Sequence, residues 1–163
     1  MTGHLDHAEH IEADTNAEGL RFAVIASRFN PEIVDGLLRG AIDCLGEHGT
    51  GPEGIRVYRV PGAFEIPLIA SLVAKTRQFD AIVAIGALVR GDTPHFEYIS
   101  TQVTMDLSRA ALESGVPVAY GVITCNTIEQ AEARSGSGSG NKGWEAALAA
   151  IEMANLIKKL TAI

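Results

Sequence analysis

At 163 residues the chain is the size of one ordinary domain, and a chain of that length buries roughly 70% of its unfolded surface without a disulfide or metal staple. Hydrophobic residues make up 47% and charged residues 20%, which excludes a disordered chain, and a net charge of −7 leaves no basic surplus to neutralise nucleic-acid phosphates. No apolar stretch of about 20 residues exists to span a bilayer, so a soluble, cytoplasmic protein without a membrane or nucleic-acid partner is expected.

The opening MTGHLDHAEHIEADTNAEG is acidic and histidine-rich with no apolar centre, so it does not read as a signal peptide. His4, His7 and His10 recur at i, i+3 spacing and would suit a metal. A solvated, frayed tail over residues 1–10 is the competing reading, because such composition buries little. Residues 11–163 read as a single domain, and no metal site is assigned. Ile11–Asp14 offers a possible additional edge strand, although its register would be weak.

Four short Val- and Ile-rich runs follow: Phe22–Ser27, Ile55–Val60, Ala81–Ala87 and Val116–Ile123. None alternates strictly, which is the pattern of parallel strands covered on both faces. Each leads into a helical segment, at about Glu32–Glu47, Phe64–Thr76, Phe96–Ser114 and Thr127–Ala133. A fifth helix spans Lys142–Leu160, with Ala146, Ala149, Ala150, Met153, Leu156 and Ile157 on one stripe. Alternating strands and helices with right-handed crossovers predict an α/β fold, a three-layer α/β/α sandwich around a four-stranded parallel sheet. Cys44 and Cys125 have neither metal-ligand nor disulfide-scaffold spacing and read as free thiols of a reducing compartment.

Ligands of open parallel sheets sit beyond the carboxyl ends of the strands. His95 lies there, after Gly91-Asp-Thr-Pro94, and a histidine near neutral pH can move protons. A helix-capping or hydrogen-bonding role for it stays open, while His48 reads as a solvated cap. The backbone at Asp92 and Thr93 precedes a helix and would bind an anion, or their side chains would cap that helix. Arg134 and Lys142 flank a Ser/Gly-rich turn. That turn is either a flexible linker or a phosphate cradle. Its Gly138-x-Gly140-x-x-Gly143 is no dinucleotide fingerprint, lacking a preceding strand, and no P-loop, since Asn141 and Gly143 replace the required Gly and Ser/Thr. Phe29, Phe64 and Tyr120, at or near strand ends, would pack in the core or sandwich a planar heterocycle. Glu65 would cap the following helix or bind polyol hydroxyls.

Five ordered motifs then carry a resemblance: Ala26-Ser-Arg-Phe-Asn30, Val60-Pro-Gly-Ala-Phe-Glu-Ile-Pro67, Gly86-Ala-Leu-Val-Arg-Gly-Asp-Thr-Pro-His-Phe-Glu-Tyr98, Tyr120-Gly-Val-Ile-Thr124 and Gly140-Asn-Lys-Gly-Trp-Glu-Ala-Ala147. Together they resemble the 6,7-dimethyl-8-ribityllumazine synthase family over about Ile11 to Leu160. The resemblance implies a flavodoxin-like fold and a cofactor-free condensation of 5-amino-6-(D-ribitylamino)uracil with 3,4-dihydroxy-2-butanone 4-phosphate, the penultimate step of riboflavin biosynthesis. It also implies the site residues. Phe29 would stack on the pyrimidine and Asn30 would bind substrate; Ala63, Phe64, Glu65, Ala87, Leu88 and Val89 would line the ring and ribityl site. Asp92, Thr93 and Arg134 would hold phosphate, His95 would transfer protons, and Lys142 would face the substrates. Tyr120 would be a wall given by a neighbouring subunit. The family forms pentamers, often twelve to an icosahedral shell, and riboflavin synthase would be an enclosed partner. The alternative is a non-catalytic lumazine- or flavin-binding or shell-forming protein on the same fold. Tyr120 stands where the family more often has Phe, so its hydroxyl needs a partner. Asp92 occupies a position that is often small, and Cys125-Asn126 replaces the commoner Thr-Asp.

Overall fold

The computed structural model describes residues 7–138 and 140–162. Its elements alternate as β1 (Phe22–Ser27), α1 (Pro31–Glu47), β2 (Ile55–Val60), α2 (Ile66–Lys75), β3 (Ala81–Val89), α3 (His95–Ser114), β4 (Val118–Cys125), α4 (Ile128–Ser135) and α5 (Lys142–Thr161). All four strands are parallel in the order β2-β1-β3-β4, with Ser27 level with Val60 and Val89 level with Cys125. Two apolar layers cover the sheet. One gathers Phe22, Val24 and Ala26 with α1, α4 and α5; the other gathers Ala23 and Ile25 with α2 and α3. This is the three-layer sandwich of the sequence reading.

Burial on both faces holds for β1, whose six residues are all buried, and for most of β3. It does not hold for β2, where only Val60 is buried. As an edge strand β2 has a single neighbour, and Arg56 instead lays its guanidinium over the Phe79 ring at 5.8 Å, beside Arg21 at 5.6 Å. The last strand begins two residues later than its apolar run. Gly115 ends α3 in the left-handed conformation at φ 73, and Pro117, which has no N–H to give a ladder, supplies only its carbonyl to Ile82 N–H at 2.8 Å. The predicted helix from Phe64 is also divided. A 3-10 turn at Ala63–Glu65 precedes α2, closed by the Gly62 N–H donating to Glu65 Oε2 at 3.0 Å.

The stripe on α5 is rotated from the predicted one. Its buried residues are Gly143, Ala146, Ala147, Ala150, Ile151 and Ala154; Ala149 and Met153 are exposed, and Leu156 and Ile157 are half-buried. Small residues face the core because α1 lies close: a Cβ at 143 would collide with the carbonyl of Leu37.

Ile11–Asp14 forms no strand in this chain. Its neighbourhood is claimed by α5 side chains instead. Asn155 Nδ2 donates to the carbonyls of Asp14 at 3.0 Å and Asn16 at 2.9 Å, and Lys159 Nζ to that of Glu12 at 2.6 Å. His4, with the metal reading placed on it, lies outside the described residues, and His7 and His10 are exposed. His48 is half-buried rather than simply solvated. Its Nδ1 sits 2.6 Å from the Cys44 carbonyl, and its ring meets Trp144 edge-on at 5.9 Å. Both cysteines are free and buried. Among the described residues no helix is long and apolar enough to cross a membrane.

Candidate active site

The carboxyl ends of β1, β2 and β3 open into one cavity of about 650 Å³. The chain leaves β1 through Arg28 and Phe29, then starts α1 at Asn30, whose backbone is left-handed at φ 58. Asn is one of the few residues that tolerates this conformation. Its Nδ2 donates to the carbonyl of Ala87 at 3.1 Å, tying the turn to β3. The result leaves Phe29 71% exposed at the cavity mouth. A phenyl ring in water is unfavourable unless something stacks on it.

The second wall is the 3-10 turn after β2. Gly62, Ala63, Phe64 and Glu65 line the cavity, and Phe64 is 57% exposed. Glu65 caps this turn rather than α2, since its side chain makes no bond to the N-terminus of α2. Below the turn the Ser27 hydroxyl is buried with no hydrogen-bond partner among the described residues.

The third wall runs from the end of β3 into α3: Leu88, Val89, Gly91, Thr93, His95, Phe96 and Ile99. Ala87 is buried in the sheet and offers the site only the carbonyl that Asn30 holds. Asp92 is exposed on the loop and does not line the cavity. Pro94 occupies the N-cap of α3, and neither Asp92 nor Thr93 caps that helix. Its first N–H groups are therefore not taken by a side-chain cap, as an anion site requires. His95 is exposed at the first position of α3, and its ring makes no hydrogen bond among the described residues.

Three predicted residues lie away from this cavity. Tyr120 is not at a strand end: it is the third residue of β4, level with Ala84, and its hydroxyl meets Thr104 Oγ1 at 2.8 Å. Arg134 sits on α4 and donates to the Gln130 carbonyl at 2.9 Å. Lys142 pairs with Glu145 at 2.7 Å. The turn between them is anchored at its end, where Asn141, immediately before Lys142, is buried. Asn141 Oδ1 accepts from the Gly143 and Trp144 N–H groups, and its Nδ2 donates to the Gly36 and Gly136 carbonyls at 3.0 and 2.8 Å.

Sequence reasoning gave Arg90, Phe96 and Ile99 no role and named Asn126 only as a departure from the family's pattern. Arg90 directly follows β3 and donates through Nε to Asn126 Oδ1 at 2.9 Å, pairs with Glu97, and lays its guanidinium over the Phe96 ring at 4.7 Å. The hydrogen bond from Arg90, helped by its charge, holds the Glu97 carboxyl below its usual range. The available signal was charge placement: a cation and an acid bracket the loop in Arg90-Gly-Asp-Thr-Pro-His-Phe-Glu97.

An aromatic shelf, a helix N-terminus and a lone histidine around one cavity suit proton transfer and positioning of a planar, anionic substrate pair. Comparison with known proteins agrees. A family model described as 6,7-dimethyl-8-ribityllumazine synthase matches residues 19–158. A protein of that name from Aquifex aeolicus is 54% identical over 149 residues, covering 91% of this chain and 97% of its own. Those from Clostridium kluyveri and Syntrophus aciditrophicus are 50% and 49% identical, covering 91% and 88% of this chain and 97% and 94% of theirs. The chain belongs to the 6,7-dimethyl-8-ribityllumazine synthase family and is an enzyme of that family.

Proposed function

We propose that the cavity beyond β1, β2 and β3 is where 5-amino-6-(D-ribitylamino)uracil condenses with 3,4-dihydroxy-2-butanone 4-phosphate to give 6,7-dimethyl-8-ribityllumazine, with release of phosphate and water. The observation that carries this reading is the convergence on one cavity of two exposed phenyl rings, Phe29 and Phe64, with His95, whose ring has no hydrogen-bond partner among the described residues. The pyrimidine stacks on Phe29 beside Asn30, and its ribityl chain runs past Ala63, Phe64 and Glu65 toward Leu88 and Val89. The butanone phosphate is held at the backbone of Asp92 and Thr93, where the start of α3 favours an anion. The pyrimidine amine attacks the ketone and a first water leaves as the imine forms; phosphate then leaves by elimination, and attack of the ribityl-bearing amine on the remaining carbonyl closes the ring with loss of a second water. His95 carries the protons these steps move. No cofactor is needed, since each step is polar and orientation alone can supply several kcal/mol of the barrier.

Arg134, Lys142 and Tyr120 complete the site from an adjacent copy in this reading, since none lines the cavity of its own chain. A pentamer provides such a neighbour, and exposed Leu68, Leu72, Met105 and Leu112 on α2 and α3 supply apolar surface for it. Twelve pentamers would form an icosahedral shell with riboflavin synthase as its enclosed partner. Two buried thiols suit a reducing cytoplasm. Residues 11–163 act as the single domain, with residues 1–10 outside it.

The test is to incubate both substrates with the protein and follow lumazine fluorescence; lumazine binding without its formation would favour a binding or shell protein on the same fold. Light scattering separates a pentamer of about 86 kDa from a shell of about 1 MDa, as multiples of the 17.2 kDa chain. A stable monomer would remove the shared site.

A further inference from the structure

The loop that carries the anion-binding backbone and leads to His95 has little of its own to hold it. Gly91, Asp92, Thr93, Pro94 and His95 are all exposed, α3 has no side-chain cap, and its first backbone bond, Tyr98 N–H to the Pro94 carbonyl, is long at 3.5 Å. What closes the loop is a contact between its two ends. Arg90 and Glu97 form an ion pair across it. The Arg90 backbone N–H continues the sheet ladder to the Cys125 carbonyl at 2.8 Å. Its Nε is fixed by Asn126 Oδ1, and Asn126 is in turn held by Gln130 Oε1 accepting from its N–H at 2.8 Å. One guanidinium thus joins the end of β3, the β4–α4 turn and the first turn of α3.

We propose that Arg90 and Glu97 are positioning residues, a clamp that sets the loop from Gly91 to His95 for the phosphate of the substrate. The proposal rests on the reading of that loop as the phosphate site. Arg90 acts through Glu97 rather than as the phosphate cation in this proposal: its Nε and Nη1 are held by Asn126 and Glu97 and its face lies over Phe96, so Nη2 alone has no side-chain partner among the described residues. Neutral Asn126 leaves Glu97 as its carboxylate partner among the described ion pairs. The clamp acts on geometry, so its loss costs binding of the phosphate substrate without removing any group that touches it.

The test compares Arg90→Met, Arg90→Lys, Glu97→Gln and the Arg90→Met/Glu97→Gln double variant, each checked for unchanged assembly and thermal melting. Either single loss should raise KM for the butanone phosphate about 3- to 10-fold, with KM for the pyrimidine changed less than about twofold. The double variant should be no worse than the worse single, because one contact has been broken twice. Arg90→Lys should recover part of the loss by keeping the charge opposite Glu97. A lower KM in Glu97→Gln would overturn the clamp, since a freed Arg90 would then be binding phosphate directly. Equal effects on both substrates, or single losses that multiply in the double variant, would overturn it too. If the unaltered protein makes no lumazine, the reading of the site fails instead. Calorimetric binding of inorganic phosphate by the same variants then decides the clamp by the same pattern.

Discussion

Asn30 and Ala87 are joined by a 3.1 Å hydrogen bond from the Asn30 side chain to the Ala87 carbonyl, and this bond bridges two strand ends at the cavity mouth. Asn30 does two jobs here, since its left-handed φ of 58 also turns the chain from β1 into α1 and sets the direction of Phe29. Asn30→Ala loses both the bond and the tolerance for that backbone, at about 1–3 kcal/mol. Asn30→Gly keeps the backbone and should cost only about 1 kcal/mol. Both should raise KM for the pyrimidine more than for the phosphate substrate, because Phe29 is the ring displaced. Urea unfolding and steady-state kinetics check the two parts; equal stability losses in both variants would show that the backbone conformation contributes nothing.

Asn141 does comparable work for the turn between α4 and α5. Its four hydrogen bonds cap α5 and fasten the turn to α1 through the Gly36 carbonyl. Asn141→Ala strands buried groups at both ends and should destabilise the protein by about 2–4 kcal/mol. Asn141→Ser restores an acceptor for the cap and should recover about 1 kcal/mol of that, while leaving the Gly36 carbonyl without its donor. The difference between the two midpoints in urea reads the cap separately from the tether. A loss below about 0.5 kcal/mol in Asn141→Ala would mean that water replaces the tether freely.

The strands and the order of helices were legible because burial on two faces writes an unbroken apolar run, as in Phe22–Ser27. Phase was harder to read than period. On α5 the predicted Ala146 and Ala150 are buried, but the large residues Met153 and Leu156 drew the stripe off the face that buries Gly143, Ala147 and Ile151. Short motifs after β1, β2 and β3 gave the cavity, since Phe29, Phe64 and His95 lie in the segments that leave those strands. Tyr120, Arg134 and Lys142 carry the same chemistry in the sequence but lie elsewhere in this chain. The pairing of Arg90 with Asn126 was not legible because it spans 36 residues and exists only once β3 and β4 pair.

The thiols give a pH-dependent prediction. Burial pushes the Cys44 thiol up to about 11, with Glu47 adding to the shift. The unfolded chain releases that proton from about pH 8.5 upward, so between there and about 11 it holds fewer protons than the folded one. Stability therefore falls with rising pH in that window, and the contribution is intact below it. The melting temperature of the unaltered protein should decline more steeply between pH 9 and 11 than that of Cys44→Ala. At pH 8 neither Cys44 nor Cys125 should react with a thiol reagent until denaturant is added. Fast labelling of the folded protein would contradict the burial of both.

Arg134 supplies the sharpest test of a site shared between copies. Its guanidinium leans back on the Gln130 carbonyl, outside the cavity where His95 sits. Arg134→Ala should raise KM for the butanone phosphate and leave the pyrimidine nearly unaffected. His95→Ala should instead slow turnover by roughly 10–10⁴-fold, the range for a lost general acid or base. The two variants are then unfolded, mixed in equal amounts and reassembled. If each site takes His95 from one copy and Arg134 from the next, random mixing around a closed ring regenerates about a quarter of the sites with both groups intact. Assayed with butanone phosphate well below the raised KM, where Arg134→Ala is slow as well as His95→Ala, lumazine fluorescence should therefore return to about a quarter of the unaltered rate. No recovery, in particles that demonstrably contain both variants, would place Arg134 and His95 in the same chain's site and would require the α4–α5 turn to move toward its own cavity.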